Sequence, residues 1–193
     1  YPSLRTPRRA DRDSHGQTSH DLTIGLPPGY GCVVDEGSLS LADQVCLAII
    51  GERRTHGWAI VKLLQPSGDL GRIWSLTRPL TYRAIDHLVA LGLVARSDAG
   101  RRAELTITTR GRTIRRKWLD TPVAHLRDLR TEFLIKLCLR TRAGSDPGRL
   151  IAAQRRRLAP AIAALTDHAA RDAVDVWRQQ SALAAERFLE QIA

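Results

Sequence analysis

No run of apolar residues in this 193-residue chain approaches the ~18–20 that a helical membrane span needs. Nor does residues 1–36 read as a secretory signal, because charges are scattered through the stretch and no apolar block occurs. Methionine is absent, so no initiator residue marks a start. Cysteine is scarce. Cys32, Cys46 and Cys138 are odd in number, far apart and without metal-ligand spacing. They read as reduced packing thiols of a cytoplasmic protein, and they argue against a disulfide framework or a structural metal. Also missing are a Gly-rich phosphate loop, an H-x-x-x-H or paired-cysteine spacing, and a G-x-S-x-G elbow. His15, His20, His56, His87, His125 and His168 are dispersed and read as caps or surface groups. The expectation is a chain with no catalytic residues, no metal and no cofactor.

Lysine is rare as well. Only Lys62, Lys117 and Lys136 occur, and the rest of the 30 basic residues are arginine. Arginine is the better residue for bidentate contacts to phosphate and guanine, although a GC-rich genome produces the same bias. The net charge of +10 is unevenly spread. It is −1 over residues 1–36, +7 over 37–120 and +4 over 121–193. The excess gathers in the middle segment, as expected of a region that meets a polyanion.

That segment is organised around Trp74–Val94, W-S-L-T-R-P-L-T-Y-R-A-I-D-H-L-V-A-L-G-L-V. Thr77 can cap a helix, Pro79 is tolerated in its first turn, and Gly92 suits a left-handed stop. Leu80, Ala84, Leu88 and Leu91 supply an apolar stripe at i, i+4, i+8 and i+11. Off that stripe lie Arg78, Thr81, Tyr82, Arg83 and His87, with Asp86 the one acid. Such a face can approach a phosphate backbone and base edges together, though an ordinary solvated surface helix has the same pattern.

The neighbours decide between these readings. Ser40 to Gly51 predicts a helix capped by Ser40, with Leu41, Val45, Ala48 and Ile49 along one face. The motif T-H-G-W-A-I-V-K-L-L predicts a second, ended by Pro66-Ser67-Gly68. After the organising helix, Leu93–Arg96 and Ala103–Ile107 are β-rich and flank Asp98-Ala99-Gly100-Arg101-Arg102, a turn with two arginines. Three helices followed by a basic-tipped hairpin make a winged helix-turn-helix. Ser75, Thr77, Arg78, Thr81, Tyr82 and Arg83 on the third helix, and Arg101 and Arg102 on the wing, are its candidate DNA contacts.

The residues L-A-I-I-G-E-R-R-T-H-G-W-A-I, P-L-T-Y-R-A-I-D-H-L-V-A-L-G-L-V and Thr108-Thr109-Arg110-Gly111 resemble the PadR family of transcriptional regulators. W-L-D-T-P-V-A-H-L-R-D-L-R-T-E-F-L-I-K-L then resembles the opening of that family's long helical C-terminal domain. The likeness runs over residues 39–193, with Trp58 in place of the usual tyrosine and Thr81 where an aliphatic is common. It implies a repressor that responds to a small-molecule effector.

The C-terminal residues carry a reading of their own. Leu126, Leu129, Phe133 and Leu137 form one helical stripe, and Asp172 caps a last helix bearing Val174, Trp177, Ala184, Phe188 and Ile192. Leu126, Leu129, Phe133, Trp177 and Phe188 are the expected dimer contacts, since two-fold dimers dominate oligomers and read paired half-sites. The expected architecture is mainly α with a small β-hairpin. It comprises an N-terminal flexible tail (1–36), a winged helix (37–120) and a helical dimerisation domain (121–193). The expected partners are a palindromic double-stranded operator, a second copy and the effector. Two alternatives stay open, a winged-helix protein–protein interaction module and a nonspecific architectural DNA binder.

Overall fold

A computed structural model describes residues 39–97 and 103–193. The tail and the wing tip with Arg101 and Arg102 lie outside the described residues. The described elements run α1 (Leu41–Ile50), α2 (Gly57–Leu64), α3 (Arg78–Ala90), β1 (Val94–Arg96), β2 (Leu105–Ile107) and α4 (Thr109–Asp120), followed by α5 (Leu134–Arg142), α6 (Gly148–Thr166) and α7 (Ala173–Gln191). The chain is mainly helical with one small antiparallel hairpin, and the order of helices and hairpin is that of a winged helix.

Helix α1 is apolar around most of its circumference and is buried from Asp43 to Ile50, as such a helix must be. Its start is fixed by a reciprocal capping box. Ser40 Oγ accepts from the Asp43 N–H at 3.2 Å, and the Ser40 N–H donates to Asp43 Oδ2 at 2.9 Å. Burial and the neighbouring Asp43 carboxylate push the Cys46 thiol up to about 12, so it packs as an apolar group.

The hairpin pairs Val94 with Ile107, Ala95 with Thr106 and Arg96 with Leu105. A third segment joins it. Thr55 exchanges two backbone bonds with Leu105, at 3.2 and 2.7 Å, so the approach to α2 is stitched to the wing. Gly92 turns the chain from α3 into β1 at φ +68°, where a side chain would be strained. Thr108 closes the hairpin: its Oγ1 accepts from the Gly111 N–H at 3.1 Å and caps α4.

Two apolar cores result, and α5 serves both. Ile135 and Leu139 lie in the core of the head, whereas the turns before α5 place Leu129 and Phe133 in a second core with Leu150, Ile151, Leu158 and Leu189. Those turns are not regular α-helix: Leu126–Asp128 is a 3₁₀ turn and Leu129–Phe133 a wider π-type turn. Buried Gln154 grips the linker by both amide atoms, accepting from the Val123 N–H at 2.8 Å and donating to its carbonyl at 3.0 Å.

Charged groups fasten α5 to the head. Arg142 donates to both carboxylate oxygens of Glu52 at 3.2 Å and to Asp69 Oδ2 at 3.0 Å. Arg140 pairs with Asp120 and reaches the Leu119 carbonyl. Lys136 is buried, yet its ammonium meets Glu132 at 2.7 Å, the Thr121 carbonyl at 2.8 Å and the Trp118 ring. Burial holds its pKa below the ordinary lysine value, against the pull of Glu132.

Phe133, expected as a dimer contact, is covered by its own chain, and Leu129 is buried in the same core though it reaches the wall of the groove described below. Phe133 is fully buried and meets Phe188 edge to face, with ring centroids 6.5 Å apart. Phe133→Ala should therefore lower the unfolding free energy of the chain by about 3–5 kcal/mol in a denaturant titration, independently of protein concentration.

Candidate nucleic-acid interface

The third helix is where the sequence places it, but it is rotated from the expected stripe. Thr81, Ala84, Ile85 and Leu88 face the core, at i, i+3, i+4 and i+7. Leu80 is 46% exposed. Thr81 is fully buried, and its hydroxyl donates to the Thr77 carbonyl at 3.0 Å. That internal bond makes burial of the hydroxyl affordable. Thr81 is consequently withdrawn from the base-contacting set, since it points into the protein.

The outward face holds Arg78, Leu80, Arg83, Asp86 and His87, with Tyr82 half-buried beside them. Ser75 and Thr77 are exposed just before the helix, and Thr77 makes no side-chain cap bond. Asp86 pairs with Arg96, which ties the middle of α3 to the base of the wing. At the far end His87 Nδ1 lies 3.2 Å from Asp43 Oδ2, so the capping box of α1 also holds the last turn of α3.

Between α3, the start of α2 and the wing lies an open cleft of about 550 Å³, lined by His56, Trp58, Tyr82, Asp86, Arg96 and Ala103. His56 caps α2, its Nδ1 accepting from the Ala59 N–H at 3.3 Å. The glycine that follows leaves room for a neighbouring ring. A Cβ on Gly57 would fall 2.7 Å from Tyr82 Cε1 and 3.1 Å from its Cζ. The missing side chain is what lets the phenol of α3 lie against the first turn of α2. Trp58 follows, 46% exposed, and the Arg78 guanidinium lies over both rings, 5.7 Å from the Trp58 centroid and 5.8 Å from the Tyr82 centroid. Neither Gly57 nor Trp58 was in the sequence-derived set. An exposed aromatic directly after a cap-glycine pair was the available signal.

A second surface belongs to the C-terminal region. A mostly apolar groove of about 660 Å³ runs between residues 126–134 and α7, with Leu126 and Phe188 half-buried in its wall and Leu134, Leu165 and Ala185 beside them. Trp177 stands at its edge, 73% exposed, near exposed Val174 and Val176. Arg127, Arg130 and Arg178 also line it.

Among the described residues no cluster of three or more histidines, cysteines and carboxylates could hold a metal, and no helix is long and apolar enough to cross a membrane. The fold and site define a winged-helix protein with an arginine- and aromatic-bearing third helix. No protein-family model matches the chain, and no curated protein matches it in sequence. Among solved structures, the crystal structure of Bacillus subtilis PadR in complex with operator DNA is similar at a TM-score of 0.41 and 14% identity, over 79% of this chain and 94% of that one. At that score neither fold nor function passes from one chain to the other. The winged-helix assignment stands on the element order and hairpin register above.

Gly57→Ala should displace the Tyr82 ring and loosen α2 from α3, at about 1–3 kcal/mol of stability. Thermal melting reads the loss. An unchanged melting temperature would mean that the ring has room to move.

Proposed function

We propose that the chain is a sequence-specific DNA-binding transcriptional regulator, a homodimeric repressor that covers a palindromic operator and is released by a small-molecule effector. One observation carries the DNA reading: the exposed face of α3 presents Arg78, Arg83 and the Tyr82 phenol from a helix whose other face is locked into the head core. Guanidinium groups on a rigid helix suit both phosphate oxygens and guanine edges. Ser75 and Thr77 add hydroxyls before the first turn. Arg101 and Arg102 of the wing supply backbone contacts in this proposal.

Selection from random duplex DNA, followed by titration over a range of salt, tests it. A preferred sequence and a steep fall of affinity with salt are expected. Salt dependence with no preferred sequence would make the chain an architectural binder, and no binding would leave a protein-docking module. Arg83→Ala should cost about 1–3 kcal/mol and relax specificity if it meets a base, or weaken all sequences alike if it holds phosphate. Arg101→Ala with Arg102→Ala should reduce the salt slope by ~1–2.

The dimer is proposed to form across the α7 face, with Trp177, Phe188 and Leu126 as its contacts. An exposed tryptophan flanked by two exposed valines beside an apolar groove is support for that choice, since buried aromatics dominate interface energetics. An effector that altered packing in this groove would change the spacing of the two α3 helices. Deleting residues 170–193 is a poor test, because Ala182 and Leu189 of α7 help fill the second core. Trp177→Glu is the better variant. It should leave a folded monomer by light scattering, with operator affinity reduced at least about tenfold, as loss of one half-site contact demands. A variant that stays dimeric with full affinity rules this face out.

A further inference from the structure

Arg78 is unusual among the arginines of the head. It is exposed and has no carboxylate partner among the described residues, but its guanidinium lies 5.7 and 5.8 Å from two aromatic centroids. Arg83, five residues further along the same helix, has no such contact among those described. A guanidinium is planar, and its two faces and its edge have different uses. The faces stack on aromatic rings, whereas the N–H donors all lie in the plane and point outward from the edge. A guanidinium held by rings in this way keeps its in-plane donors free for a further partner.

Trp58 is the odd member of this cluster. A large apolar side chain that is nearly half exposed at the start of α2 contributes little to the core, and the chain is poor in aromatics, at 5%. Tyr82 already gives α3 a phenol, and Gly57 admits that ring against α2. Trp58 adds a second ring to the guanidinium of Arg78, on the side of α2. With one ring on its own helix and one across the helix junction, Arg78 is held across the interface between α2 and α3. Fixing a free arginine at the moment of binding costs rotamer entropy, and a side chain already held does not incur that cost again.

We propose that Trp58 is a positioning residue for nucleic-acid binding, which stacks Arg78 so that its in-plane N–H edge is presented, before contact, to a phosphate or a guanine edge. This rests on the DNA-binding reading above and deepens it. Trp58 acts through Arg78, and α2 thereby shapes what α3 can read.

The test is a double-mutant cycle on the full chain, with the duplex recovered by selection with the unaltered protein as probe. Trp58→Ala should weaken binding about 5- to 30-fold, Arg78→Ala by at least as much, and Trp58→Ala on top of Arg78→Ala by less than about twofold. Trp58→Phe, which keeps a ring face, should restore affinity to within about threefold. Trp58→Leu, which keeps apolar bulk without a π face, should not. A loss from Trp58→Ala that is the same with or without Arg78, or a leucine that rescues as well as phenylalanine, overturns the proposal and leaves Trp58 as packing or as an independent contact. The stack is also readable without DNA. Ring-current shifts of the Arg78 δ-methylene protons in the free protein should fall in Trp58→Leu and persist in Trp58→Phe. Should the protein bind no duplex while those shifts behave as expected, the stack is real and the DNA-binding reading is what fails. If the shifts are absent in the unaltered protein, the positioning role fails whatever the protein binds.

Discussion

Everything in the head hangs on the burial of α1. A helix enclosed from Asp43 to Ile50 has no solvent face on which to leave polar groups, so its ends must be handled by neighbours. At one end Ser40 and Asp43 satisfy each other, and Asp43 is also met by His87 from the last turn of α3. At the other end Arg115 of α4 donates through Nε to the Ala48 carbonyl at 3.0 Å, a partly buried guanidinium whose pKa burial lowers. These contacts tie α3 and α4 to α1. The outward direction of Arg78 and Arg83 is thus set by packing against a helix that is buried from Asp43 to Ile50.

The C-terminal helices are joined to this head by shared structure. Helix α5 gives Ile135 and Leu139 to one core, while the π-type turn preceding it gives Phe133 to the other. Arg142, near the end of α5, spans Glu52 after α1 and Asp69 before α3 with one guanidinium, and the Glu52 hydrogen bond raises its pKa. An arginine that holds two loops of the head couples the angle of α5 to the approach of both α2 and α3.

Periodicity and capping made most of the elements legible. Ser40 and Asp172 cap the helices that they are expected to cap, Thr77 makes no side-chain cap bond, and the hairpin falls where β-rich runs flank the turn. What periodicity could not resolve was which residues face inward. Threonine counts as polar by type, so periodicity places Thr81 outward and Leu80 inward, whereas the Thr81 hydroxyl is bonded to the carbonyl four residues back and the packing reverses the two. A stripe such as Leu126, Leu129, Phe133 and Leu137 predicts burial but not the identity of what buries it. Here α6 and α7 of the same chain take Leu129 and Phe133, and only part of the stripe remains for a partner. The contacts between Gly57 and Tyr82 and between Trp58 and Arg78 join residues twenty or more positions apart, so no local pattern encodes them.

The charge distribution sets a condition on how two copies can meet. Each chain carries +10 overall, and Arg127, Arg130 and Arg178 line the same groove that offers apolar contact. Two such surfaces placed face to face without compensation repel at close range, where screening by salt is weakest. A two-fold contact brings each residue to the partner's complementary position, so the compensation must come from acids on the same elements. Helix α7 carries Glu186 and Glu190 in its last turns, both exposed, whereas Asp175 in its first turn is already engaged by Arg171. Glu186 and Glu190 line a separate surface, beside Arg155 and Arg156 of their own chain. A parallel stacking of the two arginine rims would leave that repulsion unanswered. Burial of this groove between two copies, as proposed above, therefore requires that each arginine rim meet acidic side chains of the other copy.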